Sequence, residues 1–86
     1  MARRPIKIQI ANLKKRKLLG LADIPARTIY IDAEGHQSEK ELLDTVCHEV
    51  LHVASDDLLS EQAVDKFAGD LASVLYRMKW RRIHGA

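Results

Sequence analysis

The sequence lacks most of the features that would place it outside ordinary globular proteins. It has one cysteine, Cys47, in 86 residues. That excludes an internal disulfide and a thiolate metal cluster, so any bound metal must rely on histidine and carboxylate. No apolar run approaches the ~20 residues of a membrane span. The opening "MARRPIKIQIANLKKRKLLG" interrupts its apolar residues with charge where a signal peptide would be continuously apolar. There is no internal repeat, low-complexity tract or linker, and no helix-turn-helix or finger spacing. These absences predict a cytoplasmic protein with no membrane partner, and they argue against nucleic acid as the main partner.

What is present suits one compact unit. The chain is 47% hydrophobic and 30% charged, too apolar for disorder. At this length a single core is marginal, so residues 1–86 are expected to form one domain that a bound metal would help to hold. The net charge of +2 conceals segregation. Residues 1–27 carry eight Lys or Arg against Asp23 alone, residues 28–70 carry two Lys against eleven acids, and residues 71–86 carry four bases and no acid. An acidic centre suits a cation, and the basic ends suit solvent, phosphate or an acidic partner.

The order of elements follows from periodicity. "PIKIQI" alternates Ile6, Ile8 and Ile10 with polar residues and reads as a strand. "NLKKRKLLG" reads as a short helix closed by Gly20, and "RTIYID", followed by the turn signal "AEG", as a second strand. Ser38 and Glu41 form a capping box, so a helix starts near Glu39 and runs to about Ala54 on a stripe of Leu42 or Leu43, Val46, Val50 and Val53. Ser60 caps a second helix whose predicted core stripe is Val64, Phe67, Ala68, Leu71, Val74 or Leu75, and Met78. Leu58 and Leu59 are expected to close the connection over the core. The predicted fold is α+β: two or three strands packed on two antiparallel helices, β-β-α-α.

On the first helix "HEVLH" places His48 and His52 one turn apart on one face, away from the Val46/Val50 stripe. That spacing lets two imidazoles reach one tetrahedral cation, and Glu49 leans toward its open position, where a carboxylate can accept a proton from water. This is the H-E-x-x-H pattern of metallopeptidases. A catalytic zinc usually takes a third protein ligand. If the second helix returns antiparallel, Glu61 comes back beside His52 and can be that ligand, while Asp65, one turn deeper, lies nearer His48 and can accept an imidazole N–H. Asp56 or Asp57 are the alternative third ligands, Asp56 foremost because it follows His52 by one turn.

"HEVLH" followed by an E-x-x-x-D helix resembles the gluzincin metallopeptidases. The longer segment "IYIDAEGHQSEKELLDTVCHEVLHV…LLSEQAVDKFAGDLASVL" resembles small phage and prophage proteins near the ImmA/IrrE metallopeptidases, over about residues 27–78. The resemblance implies a zincin-like domain with one zinc ion at His48, His52 and Glu61, Glu49 as general base, and host cytoplasm as the setting. Two features depart from the larger relatives. Only eight residues separate His52 from Glu61, and no position matches the Tyr or His that steadies the tetrahedral intermediate, for which Tyr30, His36 and Tyr76 are the candidates.

The sequence thus predicts a zinc-dependent hydrolase, a minimal metallopeptidase acting on a peptide or protein that pairs with the edge of "RTIYID". Its rival is a zinc-stabilised binding protein acting on a host or phage regulator without catalysis. A third reading, a nucleic-acid module, rests on "KKRK" at 14–17 and "RMKWRR" at 77–82.

Overall fold

A computed structural model describes residues 4–80, so Arg81 and Arg82 of the C-terminal basic stretch lie outside the described residues. Three strands, β1 (Lys7–Ile10), β2 (Gly20–Asp23) and β3 (Thr28–Ile31), precede two helices, α1 (Glu39–Ala54) and α2 (Glu61–Arg77). The fold is α+β, with the two predicted strands and both helices in place and a third strand added. No helix among the described residues is long and apolar enough to cross a membrane.

The added strand corrects the reading of "NLKKRKLLG". Only Lys14–Arg16 winds, as a single 3-10 turn, and Lys17 ends it in the left-handed region at φ 56°. Gly20 closes no helix and instead opens β2. The strand order is β1-β3-β2, with β1 parallel and β2 antiparallel to β3. "RTIYID" is therefore central, and its edges are taken on both sides. The expectation that a peptide pairs with it is overturned, because a central strand has no unpaired amide row to offer.

Asp32 fastens the end of β3. Its buried carboxylate accepts the backbone N–H groups of Leu13, Glu34 and Gly35, joining the loop after β1 to the turn after β3. Ser38 caps α1 by accepting Glu41 N–H at 3.1 Å, and Glu41 answers with a 3.4 Å bond from Gln37 N–H, one residue earlier than in the usual capping box. Ser60 caps α2 through Ala63 N–H at 3.1 Å.

The layers are sheet, α1, α2. Ile29, Ile31, Leu42 and Val53 form one core cluster, joined by Val46 and Val50 from the predicted α1 stripe. Each fully buried Ile or Val contributes roughly 1.5–3 kcal/mol. A second cluster of Cys47, Ala68 and Ala72, with Leu43, Leu51 and Leu75 beside it, joins α1 to α2. The buried stripe of α2 is narrower than the predicted one. Val64, Ala68 and Ala72 are buried, whereas Phe67, Leu71, Val74 and Met78 are exposed, since α2 packs on α1 and on no strand. Leu58 is also exposed, at 86%, and does not close over the core.

Candidate metal centre

His48 and His52 emerge from α1 on the side turned away from the sheet. Their ring centroids are 4.9 Å apart and their Nε2 atoms 3.2 Å apart. Glu61, in the first turn of α2, reaches both rings: Oε1 lies 2.8 Å from His48 Nε2 and Oε2 lies 3.2 Å from His52 Nε2. The predicted antiparallel return brings it there, and Ala68 and Ala72 let the two helices approach closely enough for a Glu to span the gap.

The opposite ring nitrogens are also held. His48 Nδ1 is 3.1 Å from Asp65 Oδ1, as the one-turn spacing from Glu61 predicts, and His52 Nδ1 is 3.1 Å from Asp57 Oδ1. Asp57 takes this place through the way α1 ends. Asp56 N–H bonds to Val53 O at 3.1 Å and Asp57 N–H to His52 O at 2.9 Å, the paired bonds of a Schellman termination. Both residues sit at positive φ, 51° and 60°, which Asp tolerates better than most side chains. The turn that stops the helix thus aims the Asp57 carboxylate back at the imidazole whose carbonyl it has just capped.

Asp57, an alternative ligand by sequence, is instead the partner of His52 Nδ1. The signal lay in the pair "DD" directly after the helix, a left-handed cap without glycine. Asp56, the foremost alternative to Glu61, joins no cluster of candidate ligands among the described residues.

These contacts suit one arrangement of the ring protons around an ion. With carboxylates accepting at Nδ1, each neutral imidazole presents its Nε2 lone pair to the shared space, where the Glu61 oxygens already point. Three electron-rich atoms facing one another repel unless a cation or proton lies among them. Donor atoms on a tetrahedral ion with bonds of 2.0–2.1 Å stand about 3.3 Å apart, close to the spacings found here. The donor set of two imidazoles and one carboxylate, each imidazole with a carboxylate behind it, therefore fits a zinc ion. The Glu61, Asp65 and Asp57 side chains are more than half exposed, so the centre is open to solvent on that side.

Glu49 lies beside the cluster, its carboxylate within 4.8 Å of donor atoms of both histidines. Burial pushes its carboxyl above the usual carboxylate range; His48 and His52 oppose the rise and Glu61 adds to it. Glu49 also presses on β2, since a Cβ at Gly20 would fall 2.7 Å from Thr45 Cγ2 and 3.0 Å from the Glu49 side chain. Glycine at this one position lets the strand run against the helix face that carries Glu49.

Of the three candidates for steadying an oxyanion, His36 precedes α1 and bonds to it. Its Nε2 lies 2.8 Å from Thr45 Oγ1, one turn before Glu49, and its Nδ1 is buried with no hydrogen-bond partner. Tyr30 alternates with the buried Ile29 and Ile31, so it faces away from α1. Tyr76 lies fifteen residues along α2 from Glu61, a rise of roughly 22 Å. Cys47 packs between the helices, and burial followed by the nearby Asp44 raises its thiol pKa.

Fold and centre together define a small α+β domain with a His, His, Glu donor set opening to solvent between two helices. No protein-family model, no curated protein and no solved structure matches the chain.

Proposed function

We propose that the chain is a zinc-dependent hydrolase, a minimal metallopeptidase of the gluzincin type. The observation that carries this reading is the convergence of His48 Nε2, His52 Nε2 and the Glu61 carboxylate, with Asp65 and Asp57 bonded behind the rings. His48, His52 and Glu61 would hold the ion, which when bound supplies a Lewis acid and acidifies water at an open position. With the ion on the Nε2 side, Asp65 and Asp57 would hold both imidazoles in the Nδ1–H tautomer. Glu49, whose carboxyl is raised by burial, accepts a proton from the attacking water and passes it to the leaving amine. Among the described residues no strand pairs with the outer edge of β2, and its Gly20 lies against Glu49. An extended peptide added to that edge would run past the general base.

The test has two stages. Metal content by mass spectrometry, after dialysis against a weak chelator, should give one zinc per wild-type chain and a clear loss in Glu61→Ala. Cleavage of a peptide library should then be abolished in Glu49→Gln. Wild-type protein that takes up no zinc when zinc is offered removes the reading, as does a Glu49→Gln variant that cleaves at the wild-type rate.

A zinc-stabilised binding protein is the second reading, favoured by the positions of Tyr30 and Tyr76 away from the cluster, which leave no tyrosine to steady an oxyanion. It predicts bound zinc, no cleavage, and partner binding unchanged in Glu49→Gln.

A further inference from the structure

We infer that the outer face of α2 is a self-association surface through which two copies of this chain pair antiparallel. Phe67, Leu71, Val74 and Met78 are 45%, 46%, 43% and 66% exposed. Their spacing of four, three and four residues lines them up along one side of the helix, as in the seam of a coiled coil. The fold covers them only in part, because α2 is fastened to α1 through Val64, Ala68 and Ala72. A continuous apolar row of this kind on a small domain marks an interaction site.

The charges beside the row specify the occupant. Beside the row α2 exposes Asp70 near its middle and Arg77 seven residues on, at its end, while Glu61 and Asp65 lie on the side of the histidines. A parallel second copy would set acid on acid and base on base. An antiparallel copy sets Asp70 toward the basic end of its neighbour and also opposes the two helix dipoles favourably. With a two-fold axis between Leu71 and Val74, Phe67 meets Met78 of the second copy and Leu71 meets its Val74. Asp70, which flanks the row, then comes close to Arg77 of the second copy, and the contact occurs twice by symmetry. Arg77 Nε donates to Ser73 O at 3.4 Å, which keeps the guanidinium along the flank. Glu61 and Asp65 remain turned toward the histidines, so pairing leaves the candidate centre open.

One helix face is smaller than the ~800 Å² per partner of a standard interface, so the dimer should be concentration-dependent. Sedimentation equilibrium on the full chain, from about 10 µM to about 1 mM, reads it directly. The expected result is a monomer–dimer equilibrium that Leu71→Lys weakens at least about tenfold, with the far-UV spectrum unchanged because the side chain is exposed. Asp70→Arg and Arg77→Asp should each weaken association severalfold, and the two together should restore it. A monomer throughout the range overturns the proposal, and so does association indifferent to Leu71→Lys. Loss in both single charge variants without recovery in the double variant overturns the antiparallel arrangement.

Discussion

The two helices are nearly equal in length and differ in what surrounds them. α1 is enclosed by the sheet on one side and α2 on another, whereas α2 touches α1 alone. The difference divides the candidate centre. His48, Glu49 and His52 stand on a helix positioned by both core clusters, while Glu61 and Asp65 stand on one whose packing is all against α1. The histidine pair is thus the fixed half of the cluster and the acids are the half that docks against it.

That division can be broken most directly through stability. Val53→Ala on α1 should cost about 2–4 kcal/mol by opening a cavity against the sheet, while Phe67→Ala on the exposed face of α2 should cost less than about 1 kcal/mol. Equal losses in urea melts would show that the outer face of α2 is packed as tightly as the inner face of α1.

The next effect concerns the two carboxylates behind the imidazoles. Asp65→Ala and Asp57→Ala should each lower zinc affinity by about 10- to 100-fold, read by competition with a chelating dye. Asp57 follows α1 directly and Asp65 rides on α2, so mild destabilisation of α2 should enlarge the Asp65 effect and leave that of Asp57 unchanged.

Gly20→Ala sharpens the comparison on the sheet side. Its methyl group would push on Thr45 and Glu49, costing about 1–3 kcal/mol and lowering any hydrolysis more than zinc content, because Glu49 moves and the ligands do not. The smallest effect belongs to Asp56→Gly. The residue is exposed at φ 51°, so stability should change by less than about 0.5 kcal/mol and zinc content should stay at the wild-type level. A loss of zinc there would return Asp56 to the role assigned to Glu61.

Much of this arrangement was legible in the sequence because it is written in local signals. Ser38 and Ser60 announce both helix starts, alternation announces β1, β-branched and aromatic residues before a turn signal announce β3, and the i, i+4 spacings of His48/His52 and Glu61/Asp65 need only an antiparallel return to meet. Strand β2 was hidden because "GLAD" is short, begins with glycine and follows four bases; only its pairing with β3 makes it a strand. The central position of β3 was equally hidden, since strand order is decided by tertiary packing. The apolar residues of α2 span too wide an arc for sequence alone to tell which half meets α1. The alanines won because they allow close approach. Asp57 required knowledge of a left-handed helix end, which usually advertises itself by glycine.

The attachment of α2 to a single neighbour also has a kinetic meaning. A helix bonded on one side is the natural unit of sub-global opening, and its departure would carry Glu61 and Asp65 away from the histidines in one motion. An ion held as proposed would then leave through a gate instead of by stepwise ligand exchange. Its release to a strong chelator would level off at the opening rate of α2, however much chelator is added, and the slowest-exchanging amides of α2 would report that same rate.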